Sequence, residues 1–392
     1  MLFLHQLKYL FSFFLLLFAV TSAATTAVST GSEFERAVSR IANSKDSVGL
    51  AVAVVRKGEV SFLGTYGVRE IGSPEKIDAH TTFRIASLSK AFAATVAGQL
   101  DSNKQLSLDS PIFRYNQEFQ LADARQAKTA TLLDVLSHRL SLPPYAYDNL
   151  LEAGVMPAKI LREMEKVTPI CRVGTCYAYQ NVGFNMITSA IESATKQSYE
   201  SIVRNLLFEP LGMSGASFGM RDLKKEANWA RSHRRRSLDS WQVVDVKPAY
   251  YEVPAAGGVN ANILDMTKWL KAQMGHAPTI IPEETLKRLQ SPIVETPAEL
   301  RRNRRISRLS EAYYGLGWRV YKYAGHTVVN HSGAVEGYGA RIAFLPELDV
   351  GIVLLSNSRS REFWEILPMF LDYELGLENE LLSQTDLNSN QD

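Results

Sequence analysis

The feature that most constrains this chain is the position of its strand-like segments. Val48–Val55 is a continuous apolar run rich in valine, Val60–Tyr66 alternates less strictly, and Lys57-Gly58 between them has the chemistry of a hairpin turn. Strand signals return near the C-terminus at Thr327–Asn330, Gly339–Leu345 and Val350–Ser356, with Pro346-Glu-Leu-Asp349 as the turn between the last two. From about Leu106 to Pro254 the pattern is mostly helical, broken by Pro143-Pro144, Pro157, Pro169 and Pro210. Apolar spacing predicts a helix at Glu33–Ala42, with Phe34, Ala37 and Ile41 on one face, and a closing helix at Phe363–Leu375. Such a chain folds most economically as one antiparallel sheet built from both ends, flanked by helices, with a mostly helical lobe inserted. The expected class is α/β (α+β): residues 25–378 form one domain, with 25–105 and 255–378 in the α/β lobe and 106–254 in the helical lobe. Residues 379–392 read as a polar tail.

The first residues follow a different logic. Lys8 precedes an apolar run from Tyr9 to Val20, and the small residues Thr21-Ser22-Ala23-Ala24 follow it. That is the order of a secretory signal, so residues 1–24 are expected to be removed on export to the periplasm or the medium. The run is about a dozen residues, short of the ~20 that span a bilayer, so no stable membrane span is expected in the mature chain. An uncleaved anchor and an N-terminal core helix are the less favoured readings. Export bears on Cys171 and Cys176, the only two cysteines, which lie in Cys-Arg-Val-Gly-Thr-Cys. In an oxidising compartment a bond between them is expected, and over so short a loop it shapes a turn more than it restricts the unfolded chain.

Composition removes several function classes. Lys+Arg 43 against Asp+Glu 41 leaves a charge of +2, which gives no field to recruit nucleic acid or an anionic membrane. The seven histidines form no His-Glu-x-x-His pattern, and two cysteines exclude a four-cysteine zinc site, so no metal or other cofactor is expected. Two arginine clusters, Arg231 with Arg234, Arg235 and Arg236, and Arg301, Arg302, Arg304, Arg305 and Arg308, read as solvated loop charge rather than a polymer-binding surface.

Chemistry is carried by Ser-x-x-Lys, which on a helix sets a hydroxyl and an amine one turn apart on one face. It occurs at Ser73/Lys76, Ser87/Lys90 and Ser193/Lys196. Ser73 precedes a proline in a turn, and Lys196 lies beyond the apolar face of its helix. Ser87 instead opens an apolar helix reaching Leu100, where a first-turn nucleophile gains from free backbone N–H groups and a buried lysine needs a reason. Ser87/Lys90 is therefore preferred. A Tyr-x-Asn element occurs at Tyr147 and at Tyr179-Gln180-Asn181, the second following the cysteine pair. The sole [KH]-[ST]-G element is His331-Ser332-Gly333, expected at the end of a strand, with glycine allowing close approach of a substrate backbone.

Taken in order, Ser87-Leu-Ser-Lys90, Tyr179-Gln-Asn181 and His331-Ser-Gly333 resemble the motifs of the serine β-lactamase/penicillin-binding-protein superfamily, in its class C β-lactamase-like and D,D-carboxypeptidase branch. Phe83–Lys90, Glu209–Met213, Pro254–Gly258 with Asn262 and Asp265, and Tyr314–Trp318 support the likeness, which runs from Phe34 to Leu375. The resemblance implies a β-lactamase/transpeptidase-like fold and an acyl-enzyme on Ser87. It further implies proton transfer by Lys90 and Tyr179, the latter as a phenolate held by nearby cations. Asn181 would orient substrate and Lys90, Ser332 and His331 would bind a substrate carboxylate or relay a proton beside Gly333, and the backbone N–H groups of Ser87 and Ala334 would form an oxyanion hole. The implied substrate is a small molecule or peptide: a peptidoglycan-like D-Ala-D-Ala peptide first, with a β-lactam, an ester, or slow deacylation as a sensor as alternatives. His331 stands where many relatives carry lysine, which leans away from a dedicated class C β-lactamase and toward D,D-peptidase-like or esterase-like members. Two further departures are His138-Arg139-Leu140-Ser141-Leu142 where relatives usually carry His-Thr-Ser-Gly-Leu, and the cysteine pair itself.

Overall fold

The computed structural model describes residues 32–237, 240–302 and 308–383. The expected signal at 1–24, Arg304, Arg305 and most of the polar tail lie outside the described residues. Helix α1, Glu33–Ala42, opens on a capping box in which the Ser32 side chain and Glu35 satisfy each other's backbone N–H groups. The main sheet contains β1 (Gly49–Arg56), β2 (Glu59–Gly67), β3 (Val294–Glu295), β4 (Leu309–Tyr314), β5 (Arg319–Tyr323), β6 (His326–Val335), β7 (Tyr338–Leu345) and β8 (Val350–Ser356). Its order is β2-β1-β8-β7-β6-β5-β4-β3, antiparallel throughout. The two chain ends meet where β1 pairs with β8, from Leu50 opposite Ser356 to Arg56 opposite Val350.

Helices on both faces explain why β1 is a continuous apolar run rather than an alternating one. Leu50, Val52 and Val54 pack with Phe34 and Val38 of α1 and with Phe370. Ala51, Ala53 and Val55 face the opposite way, into the core holding Phe92 and Trp269, whose rings stack at 3.9 Å. Phe92 belongs to α2 (Ser89–Ser102), Trp269 to α3 (Ile263–Gln273) and Phe370 to α4 (Arg361–Glu374). Between β2 and β3 the chain is mainly helical, so the fold is the expected antiparallel sheet with flanking helices and a helical insertion. Among the described residues, no helix is long and apolar enough to cross a membrane.

The differences from the sequence reading have local causes. β4 and β5 carry Glu311, Arg319 and Lys322 among their tyrosines, so neither shows an apolar run. β6 continues through His331-Ser332-Gly333 to Val335, which puts that triplet inside a strand rather than at its end. The first arginine cluster forms an edge hairpin, Ser232–Ser237 with Ser240–Val244, where Arg235 pairs with Asp46 and Arg231 with Glu70 at 3.4 Å.

Candidate active site

The approach to Ser87 is built from short pieces. Phe83–Arg84 pairs with Val259–Ala261, Ala86 takes a positive φ of 49°, and Ala86–Leu88 forms a single 3₁₀ turn before α2 begins at Ser89. The Ser89 hydroxyl fixes the turn by donating to the Ala86 carbonyl at 2.7 Å and accepting from the Val259 N–H at 3.0 Å. Ser87 thus precedes the α-helix rather than opening it. From Thr81 to Gly98, Ser87 alone is not buried. It lines a cavity of about 990 Å³ with Tyr145, Tyr179, Asn181, Ser332 and Ala334.

Lys90 is fully buried behind it. Its Nζ lies 2.7 Å from Asn181 Oδ1, 3.0 Å from the Ala256 carbonyl and 3.4 Å from Ser87 Oγ. Burial holds its pKa well below the ordinary lysine value, Asp148 opposes that shift, and Arg319 adds to it. In the neutral form that burial favours, the amine has two N–H groups and one lone pair. The two carbonyl oxygens can only accept, so they take both N–H groups and leave the lone pair for the Ser87 hydroxyl. The other two Ser-x-x-Lys matches do not build a site. The Ser73 hydroxyl bonds Glu75 in its own turn, and Ser193 and Lys196 are exposed.

Tyr179 stacks beside this pair, its ring centre 4.6 Å from Lys90 Nζ. Burial pushes its phenol well above the usual value, outweighing the hydrogen bond with Ser87 and the charge of Arg319. This runs against the expected phenolate: burial favours the neutral phenol of Tyr179. Asn181 donates Nδ2–H to Asp148 Oδ2 at 2.6 Å while its Oδ1 faces Lys90. Asp148 lies in the rival Tyr147-Asp148-Asn149 element, so that element adds a carboxylate to the site rather than competing with Tyr179-Gln180-Asn181. The sequence signal for it is faint: one acid between turn residues, with no periodicity to show that it is buried.

His331 also differs from expectation. It is 1% exposed and absent from the cavity wall. Its Nδ1 meets the Ser332 carbonyl at 3.0 Å and its Nε2 meets the Tyr314 hydroxyl at 3.0 Å. Because the carbonyl can only accept, Nδ1 carries the proton and Nε2 accepts from tyrosine. Burial, then Arg319 and Lys90, hold its pKa well below the ordinary histidine value. The expected cationic contact of His331 with a carboxylate is therefore replaced by a neutral ring satisfied inside the protein. Gly333 is needed for another reason than substrate approach: a Cβ there would lie 2.2 Å from the Ile85 carbonyl and 3.2 Å from the Ser87 nitrogen. β6 crosses directly over the nucleophile turn. The cation that sequence reasoning missed is Arg319, 7% exposed and paired with Glu299 at 3.0 Å.

The two further departures noted in the sequence prove to be one feature. Cys171 and Cys176 are disulfide-bonded, with Cα atoms 6.3 Å apart. Arg139 donates to the Gly174 carbonyl at 3.0 Å, the Gly174 N–H donates to the Arg139 carbonyl at 2.8 Å, and the Ser141 hydroxyl donates to the Cys171 carbonyl. Asp134 holds Arg139 at 2.8 Å. A buried His138 accepts from the Gln180 N–H at 3.1 Å and packs on Tyr179 at 4.3 Å, so this segment supports the tyrosine from behind. Among the described residues, no cluster of His, Cys, Asp and Glu is arranged to hold a metal.

The family model described as Beta-lactamase matches residues 34–370. The Unguisins hydrolase ungD of Aspergillus violaceofuscus (strain CBS 115571) is 25% identical over 351 residues, covering 83% of this chain and 61% of that protein. The Beta-lactamase of Escherichia coli (strain K12) is 23% identical over 356 residues, covering 81% of this chain and 88% of that protein. This chain spans about three fifths of the length of the fungal relatives it matches. The fold is shared with the structure of the octameric penicillin-binding protein homologue from Pyrococcus abyssi, with a TM-score of 0.78, 23% identity, and coverage of 88% of this chain and 77% of that one.

Proposed function

The chain belongs to the β-lactamase and penicillin-binding-protein superfamily, and from that premise we propose that it is an exported serine acyl hydrolase working through an acyl-enzyme on Ser87. We assign its preferred acyl donors to esters or amides without a free carboxylate beside the scissile bond. The observation that carries the reading is the pairing of the one open residue of its segment, Ser87, with a desolvated amine whose only remaining acceptor site faces it.

In this reading the Ser87 hydroxyl gives its proton to Lys90 Nζ as Oγ attacks the carbonyl carbon. The backbone N–H groups of Ser87 and Ala334 hold the developing oxyanion. Collapse breaks the bond to the leaving group, which takes the proton from Lys90 through the Tyr179 phenol. Water then repeats the sequence on the acyl-enzyme. The substrate preference rests on charge. His331 is neutral and turned inward, Lys90 has its N–H groups occupied, and Arg319 is paired with Glu299. The wall also carries Tyr145, Tyr179, Asn181 and Ser332, and its charged members Asp148 and Arg319 are each engaged by a neighbour, Asn181 and Glu299.

A D,D-carboxypeptidase or β-lactamase activity is the second reading. It is favoured by the Ser332 hydroxyl on the wall and by the likeness to the Escherichia coli β-lactamase. Export rests on the sequence of residues 8–24 and accords with a disulfide. The mature protein should be incubated separately with a short p-nitrophenyl ester, a D-Ala-D-Ala peptide and a fluorescent penicillin. We expect ester turnover to lead, a fluorophosphonate adduct on the Ser87 peptide, and loss of all three reactions in Ser87→Ala. An adduct at Ser73 or Ser193 overturns the nucleophile, and faster peptide than ester turnover overturns the substrate preference.

A further inference from the structure

We infer that Asp148 is a positioning residue for the acylation step: it fixes the side-chain amide of Asn181 and, through it, aims the Lys90 lone pair at Ser87. The inference rests on the reading of Ser87 and Lys90 above and extends it by one residue outside the Ser87-Leu-Ser-Lys90, Tyr179-Gln-Asn181 and His331-Ser-Gly333 elements.

An asparagine amide has two faces of opposite polarity, and nothing in its shape chooses between them. Here the choice is forced. Asp148 Oδ2 lies 2.6 Å from Asn181 Nδ2 and, as a carboxylate, can only accept. Asn181 must therefore present Oδ1 to Lys90, at 2.7 Å. With Oδ1 and the Ala256 carbonyl both accepting, Lys90 has both N–H groups committed and its lone pair left for Ser87. If the amide flipped, Nδ2 would face Nζ. The amine would then turn its lone pair to that N–H group and away from Ser87.

The same carboxylate has a second effect. Asp148 is 7% exposed, and its charge favours the ammonium form of Lys90, against burial and Arg319, which disfavour it. The other ionisable groups around Lys90 are His138 and His331, each held well below the ordinary histidine pKa by burial, and the neutral phenol of Tyr179. Asp148 itself faces Glu152 and Tyr250, whose hydroxyl donates to Glu152 at 2.7 Å. Removing the Asp148 charge should thus lower the pKa of Lys90 and let the free amine persist to lower pH.

Two variants separate the effects. Asp148→Asn keeps an oxygen that can accept from Asn181 but removes the charge, and Asp148→Ala removes both. With p-nitrophenyl acetate as substrate, Asp148→Ala should lose about 100-fold in kcat/KM, a size ordinary for a general-base step. Asp148→Asn should recover to within about fivefold of the parent and move the acid limb of its pH profile down by about half a unit or more. Fluorophosphonate titration of Ser87 counts the competent enzyme in each sample, so a folding loss is not scored as a kinetic one. Parental kcat/KM per competent Ser87 in Asp148→Ala, or Asp148→Asn as impaired as Asp148→Ala, would overturn the orienting role. An unmoved acid limb in Asp148→Asn would overturn the charge effect. Turnover surviving Ser87→Ala would instead overturn the reading of the nucleophile, a separate result.

Discussion

The two walls of the cleft are built on opposite principles. On the helix side the polar groups form one line, Asp148 to Asn181 to Lys90 to Ser87, which ends at the cavity. On the strand side His331 is tied to Tyr314 and to its own neighbour's carbonyl, and it stays off the cavity wall while its strand neighbours Asn330, Ser332, Ala334 and Val335 line it. The first wall keeps an amine that would rather be charged in water. The second keeps a histidine whose neutral form is fully satisfied. Reactivity thus sits on one side and mechanical support on the other, and substitutions on the two sides should act on different observables.

The largest expected effect is on the helix wall. Lys90→Met should reduce kcat/KM for an ester by about 10³-fold or more, the range for loss of a positioned base. It should also change how stability depends on pH. Lys90 has a folded pKa below its unfolded value near ~10.4, so between the two the unfolded chain binds the extra proton. The parent therefore gains stability as pH rises from its folded pKa toward 10, and the methionine variant lacks that gain. Thermal melts of both across that range check the sign. Parallel pH profiles would mean that Lys90 is charged in the folded protein, and the division between the walls would fail.

The next effect tests the strand wall. His331→Lys sets an ammonium where a neutral ring was satisfied, and should cost about 3 kcal/mol at pH 7, typical of an uncompensated buried charge. The loss should shrink as pH rises toward the ordinary lysine pKa, because deprotonation removes the charge that burial penalises. Turnover of a D-Ala-D-Ala peptide should not improve. An equally stable variant with higher kcat/KM for that peptide would show that position 331 faces substrate after all. In the parent, His138 and His331 both stay neutral when folded, so stability should fall as pH drops below about 6.5, where the unfolded histidines take up protons.

The same contrast explains what could be read from sequence. β1, β8 and α1 were legible because each buries a long apolar stretch, and burial on both sheet faces writes a continuous run. β4 and β5 were not, since they alternate charged residues with tyrosines. In the site, Ser87 and Lys90 were legible because a lysine inside an apolar helix is conspicuous. Asp148 and Arg319 were not: an isolated acid in a turn and an arginine on a polar strand look the same whether exposed or buried. The role first given to His331 failed for a related reason. Residue type told its chemistry, but its 1% exposure and its tie to Tyr314 come only from strand pairing and packing.

The smallest effect concerns the support behind Tyr179, and it tests whether that support depends on the disulfide. Cys171 and Cys176 are separated by 5 positions, so loop closure contributes about 2 kcal/mol by chain entropy. Arg139 already grips Gly174 in both directions, and Ala178, the residue before Tyr179, donates to the His138 carbonyl at 2.9 Å independently of the bond. Cys171→Ser with Cys176→Ser should therefore leave ester turnover within about threefold of the parent and lower Tm by about 2–3 °C, on an unfolding entropy of ~2.1 cal/mol/K per residue. Arg139→Ala alone should be similarly mild. Combined, they should cost more than the sum of the parts, because each holds the loop when the other is gone. A loss beyond tenfold in the double serine variant alone would make the disulfide part of the catalytic support. Strict additivity of the combined variant would show that the arginine clamp and the bond act on separate structures.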